Sequence, residues 1–177
     1  MNTMESITEL LKILIPAAAV LYGMYLTIQT FLQKQFEQKQ LEIKQKNAEL
    51  ITPIRLQAYE RMTLFLERIT PNNLLTRLGN ADIQAIDYQR VLLQEIREEF
   101  NHNLSQQIYM SHEAWEKTRK AMNDVLAIIN TSASEISTDG QSINLTKKIF
   151  EKVINENLQP TAEAIKFLKD EIQMMFI

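Results

Sequence analysis

Apolar residues are distributed along this chain in two ways. From Ile13 to Leu32 they are continuous: ILIPAAAVLYGMYLTIQTFL is a run of 20 residues without a charge. At about 1.5 Å rise per residue, such a helix covers roughly the 30 Å hydrocarbon core of a bilayer. Further on they recur at threes and fours, as on one face of a packed helix. The stretch between, Gln33 to Leu50, is polar, with Phe36, Ile43 and Leu50 recurring every seven residues. It reads as a helical stalk: a solvated spacer, or one strand of a weak coiled coil.

Beyond the stalk the spacing predicts a series of helices. Pro53 is expected to kink or restart the helix, because its ring removes a donor and clashes with the preceding turn. Ile51, Ile54, Ala58, Met62, Phe65 and Ile69 then share a face, widened by Tyr59 and Leu66. TPNNLLTRLGNAD reads as a reversal, with Thr70 as a cap, Pro71 at a first helical position, Gly79 as a stop and Asp82 capping the next helix. A helix from Ile83 to about Met110 carries Ile86, Leu93, Ile96, Phe100, Leu104 and Ile108. Ser111 caps the next, in which Trp115, Thr118, Met122, Val125 and Ile129 align. After a loop at NTSASEISTDGQS, a last helix presents Leu145, Ile149, Val153 and Ile154. It is interrupted at Pro160 and resumes through Ala162, Ile165, Leu168, Ile172 and Met175. The expectation is an all-α protein with an N-terminal transmembrane helix, a polar stalk and a mostly antiparallel four-helix bundle. The boundaries are 1–32 for the N-terminal segment, with the span at 13–32, then 33–52 for the stalk and 53–177 for the bundle.

Charge orients the span. Lys34, Lys39, Lys44 and Lys46 follow it and only Lys12 precedes it, so the bundle is expected on the cytoplasmic side and the N-terminus outside. A cleaved signal peptide needs a basic leading region, whereas MNTMESITELLK holds Glu5 and Glu9 against Lys12. The terminal IQMMFI is too short to span; Met174 to Ile177 reads as a packed helix end or an attachment point.

Composition narrows the chemistry. Nineteen Lys and Arg against 22 Asp and Glu give a net charge of −3, without the basic excess of a nucleic-acid binder. No cysteine is present, so disulfides, thiolate metal sites and Cys nucleophiles are absent. Gly23, Gly79 and Gly140 are the only glycines, and no P-loop or dinucleotide fingerprint can be written with them. Ser105 and Ser111 lie near histidines but lack an orienting third group.

The remaining candidate chemistry lies in EEFNHNLSQQIYMSHEAW, Glu98 to Trp115, which holds both histidines and the single tryptophan. Glu99 and His102 form Glu-x-x-His, the spacing of di-iron bundles, but a second such pair is missing, because Tyr109 precedes His112 by three. On a continuous helix His102 lies about 160° from Phe100 and Leu104, away from the core. Asn103 lies about 60° from Phe100 and Gln107 about 60° from Leu104, at the core border, where carboxamides set helix register. Trp115 adds apolar surface and one donor. Glu99, His102, Asn103, Gln106, Gln107, Tyr109 and Trp115 are therefore taken as a structural or interaction corner. The alternative is a metal or small-ligand edge at Glu99 and His102.

Two blocks carry a resemblance. LITPIRLQAYERMTLFLERITPNNLLTRL contributes Pro53, Arg55, Ala58, Tyr59, Glu60, Arg61, Pro71, Asn72, Asn73 and Leu74. EIREEFNHNLSQQIYMSHEAWEKTRKA contributes Glu99, Phe100, His102, Asn103, Gln106, Gln107, Ile108 and Tyr109. In these the chain resembles an uncharacterised Bacteroidota family, a domain of unknown function, of membrane-anchored helical proteins. The resemblance implies a bacterial inner-membrane location and brings no activity or catalytic residue with it.

The reading is a non-enzymatic, single-span helical scaffold or interaction protein without cofactor or metal. It contacts membrane lipid through Ile13 to Leu32 and binds a protein partner, a homo-oligomer being one form, and no nucleic acid. Its span and polar helix are also similar, in architecture alone, to stalk subunits of membrane complexes such as rotary ATP synthases.

Overall fold

The computed structural model describes residues 3–79, 83–137 and 140–174. Among these the chain is all helical, without a strand. Six α-helices follow one another: α1 Thr3–Ile69, α2 Pro71–Leu78, α3 Ala85–His102, α4 His112–Ser134, α5 Ser142–Asn155 and α6 Ala162–Met174, with a 3-10 helix at Leu104–Ile108 between α3 and α4. The chain divides into two compact units, Met1–Ile51 and Thr52–Ile177.

In the first unit every side chain described is exposed, and the helix is long and apolar enough to cross a membrane. Its two threonines between Gly23 and Phe31 bond within the helix: Thr27 Oγ1 donates to the Gly23 carbonyl at 2.8 Å, and Thr30 Oγ1 to the Leu26 carbonyl at 2.5 Å. Past the apolar run, Lys39 and Glu42 pair at 3.4 Å across one turn.

The second unit is built on one hydrophobic core. Ala58, Tyr59, Met62, Phe65, Leu66 and Ile69 of α1 are buried, as are Leu74 and Leu75 of α2. Facing them are Tyr88, Leu92 and Ile96 of α3, Val125 and Ile129 of α4, Leu145 and Ile149 of α5, and Leu168 of α6. Here α3 packs on α4 and α5, α4 on α5 and α6, and α2 on α5. The chain segments entering α3 and α5 are tied by a short antiparallel bridge between Gln84 and Gln141. Through it the Ala85 N–H donates to the Gly140 carbonyl at 2.7 Å, and the Ser142 N–H to the Ile83 carbonyl at 3.0 Å. A Cβ on Gly140 would collide with Cγ2 of Ile136, so this crossing requires glycine.

Several sequence expectations are corrected. Pro53 does not restart the helix, since α1 runs without interruption from Thr3 to Ile69. Pro53 is exposed, and on an exposed stretch the carbonyl left without a donor can be hydrated. Ile51 and Ile54 are exposed as well, so the buried face begins only at Ala58. The helix expected from Ile83 to Met110 ends at His102 and gives way to the 3-10 turn. Its buried phase is Ala85, Tyr88, Leu92 and Ile96, whereas Ile86, Leu104 and Ile108 are exposed. Ile154 is also exposed, and the loop after α4 is shorter than expected because α4 continues to Ser134.

Other expectations agree with the structure. Pro71 opens α2 and Gly79 follows its last residue. The chain breaks around Pro160 between α5 and α6, and Thr118, Met122, Val125 and Ile129 are buried along α4. Asp82 and Met175 to Ile177 lie outside the described residues; Met174 is exposed.

Candidate functional site

The corner between α3 and α4 is organised by Asn103. In a continuing α-helix its backbone N–H would donate to the Glu99 carbonyl. Its side chain takes that acceptor instead, Nδ2 donating at 2.9 Å, while the backbone N–H turns to the Phe100 carbonyl at 3.0 Å. Such side-chain substitution for a helical bond is what ends helices at Asn. From there the bonds tighten to three-residue spacing, Gln106 N–H to Asn103 O and Tyr109 N–H to Gln106 O, both 3.0 Å. Asn103 is only 5% exposed.

The turn closes on Ser111. Its Oγ accepts from the Ala114 N–H at 3.0 Å, capping α4, and donates to Glu171 Oε2 of α6 at 2.9 Å. Its backbone N–H donates to the Tyr59 hydroxyl of α1 at 3.2 Å. On the same turn, Arg55 Nε donates to the Tyr109 carbonyl at 3.1 Å. Beneath the turn, Phe100 stacks on Trp115, with centroids 5.2 Å apart and planes 27° apart. Phe65 also meets Phe100, with centroids 5.6 Å and planes 50° apart. These ring pairs lock α1, α3 and α4 around the turn.

The seven sequence-selected residues separate into two groups. Asn103 and Trp115 belong to the packed side, and Glu99 is half-buried and paired with Arg68 Nη2 at 3.5 Å. His102, Gln107 and Tyr109 are exposed, and Gln106 is partly so. Gln107 is thus not at a core border: the helix has ended before it, so the projected angle no longer applies. Exposed beside them are Leu104 and Ile108, the latter 75% exposed. Arg55, Tyr59, Arg68 and Glu171 complete the corner but lie far away in sequence; spacing placed Tyr59 on the buried face of its helix, and nothing local tied any of the four to this turn.

Glu99 is engaged by a guanidinium, and among the described residues no group of three His, Asp or Glu gathers to hold a metal. A cleft of about 540 Å³ lies apart from the corner, lined by Glu67, Thr70, Thr161, Ile165, Lys166 and Lys169 among others. None of the seven corner residues lines it.

Comparison with known proteins places the chain in a family. Residues 5–175 match the family of unknown function DUF7935, and the chain belongs to it. No curated protein matches the chain, and no solved structure does.

Proposed function

We propose that this member of the DUF7935 family is a non-enzymatic, single-span protein of the bacterial inner membrane, whose cytoplasmic helical bundle binds a protein partner. One observation carries the reading. The side chains from Ile13 to Leu32 are exposed all round the helix, and an apolar surface of that length is stable in hydrocarbon rather than in water. The intrahelical bonds of Thr27 and Thr30 support it, because hydroxyls in lipid need a partner within the protein. The lysines that follow the span support a cytoplasmic bundle. The exposed side of the corner, Leu104, Ile108 and Tyr109 with His102, is the surface offered to the partner, held in shape by the packed side beneath it.

Fractionation of cells expressing the tagged full chain tests the reading. It is expected in the membrane pellet after alkaline carbonate washing, with the bundle digested by protease only in inverted vesicles. Release by carbonate would remove the membrane assignment, and digestion in right-side-out vesicles would reverse the orientation.

A further inference from the structure

We propose that two copies of this chain pair in parallel and in register along the α1 face bearing Tyr22, Gln29, Phe36, Ile43 and Leu50. The proposal rests on the membrane insertion proposed for Ile13 to Leu32, and it names one partner of the protein: a second copy of itself.

The five positions are spaced seven residues apart and run from the apolar segment into the stalk. A strict heptad row drifts by about 20° per repeat on a straight helix, and a shallow left-handed supercoil of two helices absorbs the drift. Within the unit Met1–Ile51 the apolar members are open: Tyr22 is 64% exposed, Phe36 66%, Ile43 54% and Leu50 70%. The residues that interleave with them four positions on, Leu26, Gln33, Gln40 and Asn47, carry no charge. All charges of the stalk lie off this seam: Lys34, Lys39, Lys44 and Lys46 against Glu37, Glu42 and Glu49. Four against three leaves almost no net repulsion between two stalks side by side.

Gln29 identifies what covers the face. It lies three residues, about 4.5 Å, inside the end of the apolar run. Unlike Thr27 and Thr30, its carboxamide makes no hydrogen bond among the described residues. Lipid tails offer it no donor or acceptor. A carboxamide has both, so two at the same depth satisfy one another. A second copy inserted with the same orientation brings its own Gln29 to that depth. The same register sets Phe36, Ile43 and Leu50 against their counterparts.

The chain contains no cysteine, so an introduced one reports without interference. Full-length chain bearing Phe36→Cys, Ile43→Cys or Leu50→Cys on the face, or Leu41→Cys or Ala48→Cys opposite it, is reconstituted into phosphatidylcholine vesicles and oxidised. Disulfide-linked product of twice the chain mass is expected at the three face positions, at least about fivefold above the two others. Adding Gln29→Leu to Ile43→Cys is expected to reduce the yield about fivefold. Equal yields along the helix, or a yield indifferent to Gln29→Leu, overturn the proposal. So does a product of any other mass when the same variants are oxidised in native membranes. Carbonate washing of the vesicles separates the two readings: retained chain that fails to crosslink sinks the pairing alone, whereas released chain sinks the membrane assignment with it.

Discussion

Ser111 and Glu171, 60 residues apart in sequence, are joined by a 2.9 Å hydrogen bond from the serine hydroxyl to the carboxylate. The same hydroxyl caps α4 by accepting from Ala114 N–H, so one atom both starts a helix and fastens it to α6. Ser111→Ala removes both bonds and is expected to cost about 1–2 kcal/mol. Glu171→Ala loses only the second and should cost less. Urea denaturation of the purified chain, followed by helical circular dichroism, gives both values; equal costs would mean that the cap contributes nothing.

Phe100 contacts the rings of both Phe65 and Trp115. Phe100→Ala opens a void beside the single tryptophan and is expected to destabilise the unit by about 3 kcal/mol. Tryptophan emission should shift to longer wavelength even where the variant remains folded. Unshifted emission would show that the stack does not shield the indole.

Two surface ion pairs make stability pH-dependent in a defined direction. Glu135 is held below its ordinary value of 4.5, first by its hydrogen bond from Lys148 and then by that ammonium's charge. Glu163 is lowered in the same way by Lys117, which also sits 5.1 Å over the Phe167 ring. A lowered carboxylate stabilises the fold fully above its unfolded value and loses that contribution as pH falls through the folded one. Lys117 and Lys148 are raised above 10.5, each chiefly by its carboxylate partner. Their contribution is therefore complete below that value and lost as pH rises through the folded one. Denaturation midpoints measured between about pH 6 and pH 3 should fall less for Glu135→Gln and Glu163→Gln than for the natural chain. Parallel curves would exclude both pairs as the source.

Ser132 is fully buried in α4, and its hydroxyl has no hydrogen-bond partner among the described residues. Ser132→Ala keeps the shape and removes the unsatisfied oxygen, so it is expected to leave stability unchanged or raise it by up to about 1 kcal/mol. A loss of that size in thermal unfolding would reveal a bond made through water.

Local physics made some of this protein legible from its sequence. Twenty uncharged residues specify a helix with the length of a bilayer, because rise and hydropathy are properties of the segment itself. Pro71, Gly79 and Ser111 mark helix limits through their own backbone or side-chain chemistry, and the α4 row from Thr118 to Ile129 keeps its period because the helix there is continuous. Tertiary structure decided the rest. Periodicity assumes an unbroken helix, and Asn103 breaks it by giving its side chain to the Glu99 carbonyl, so Leu104, Gln107 and Ile108 turn outward. Pro53 fails to break α1 because its surroundings leave the orphaned carbonyl to water. The contacts that hold the corner, Arg55 to Tyr109, Tyr59 to Ser111 and Ser111 to Glu171, join residues about 50 to 60 apart. Spacing along a chain carries no signal for such pairs, which exist only once the helices have packed.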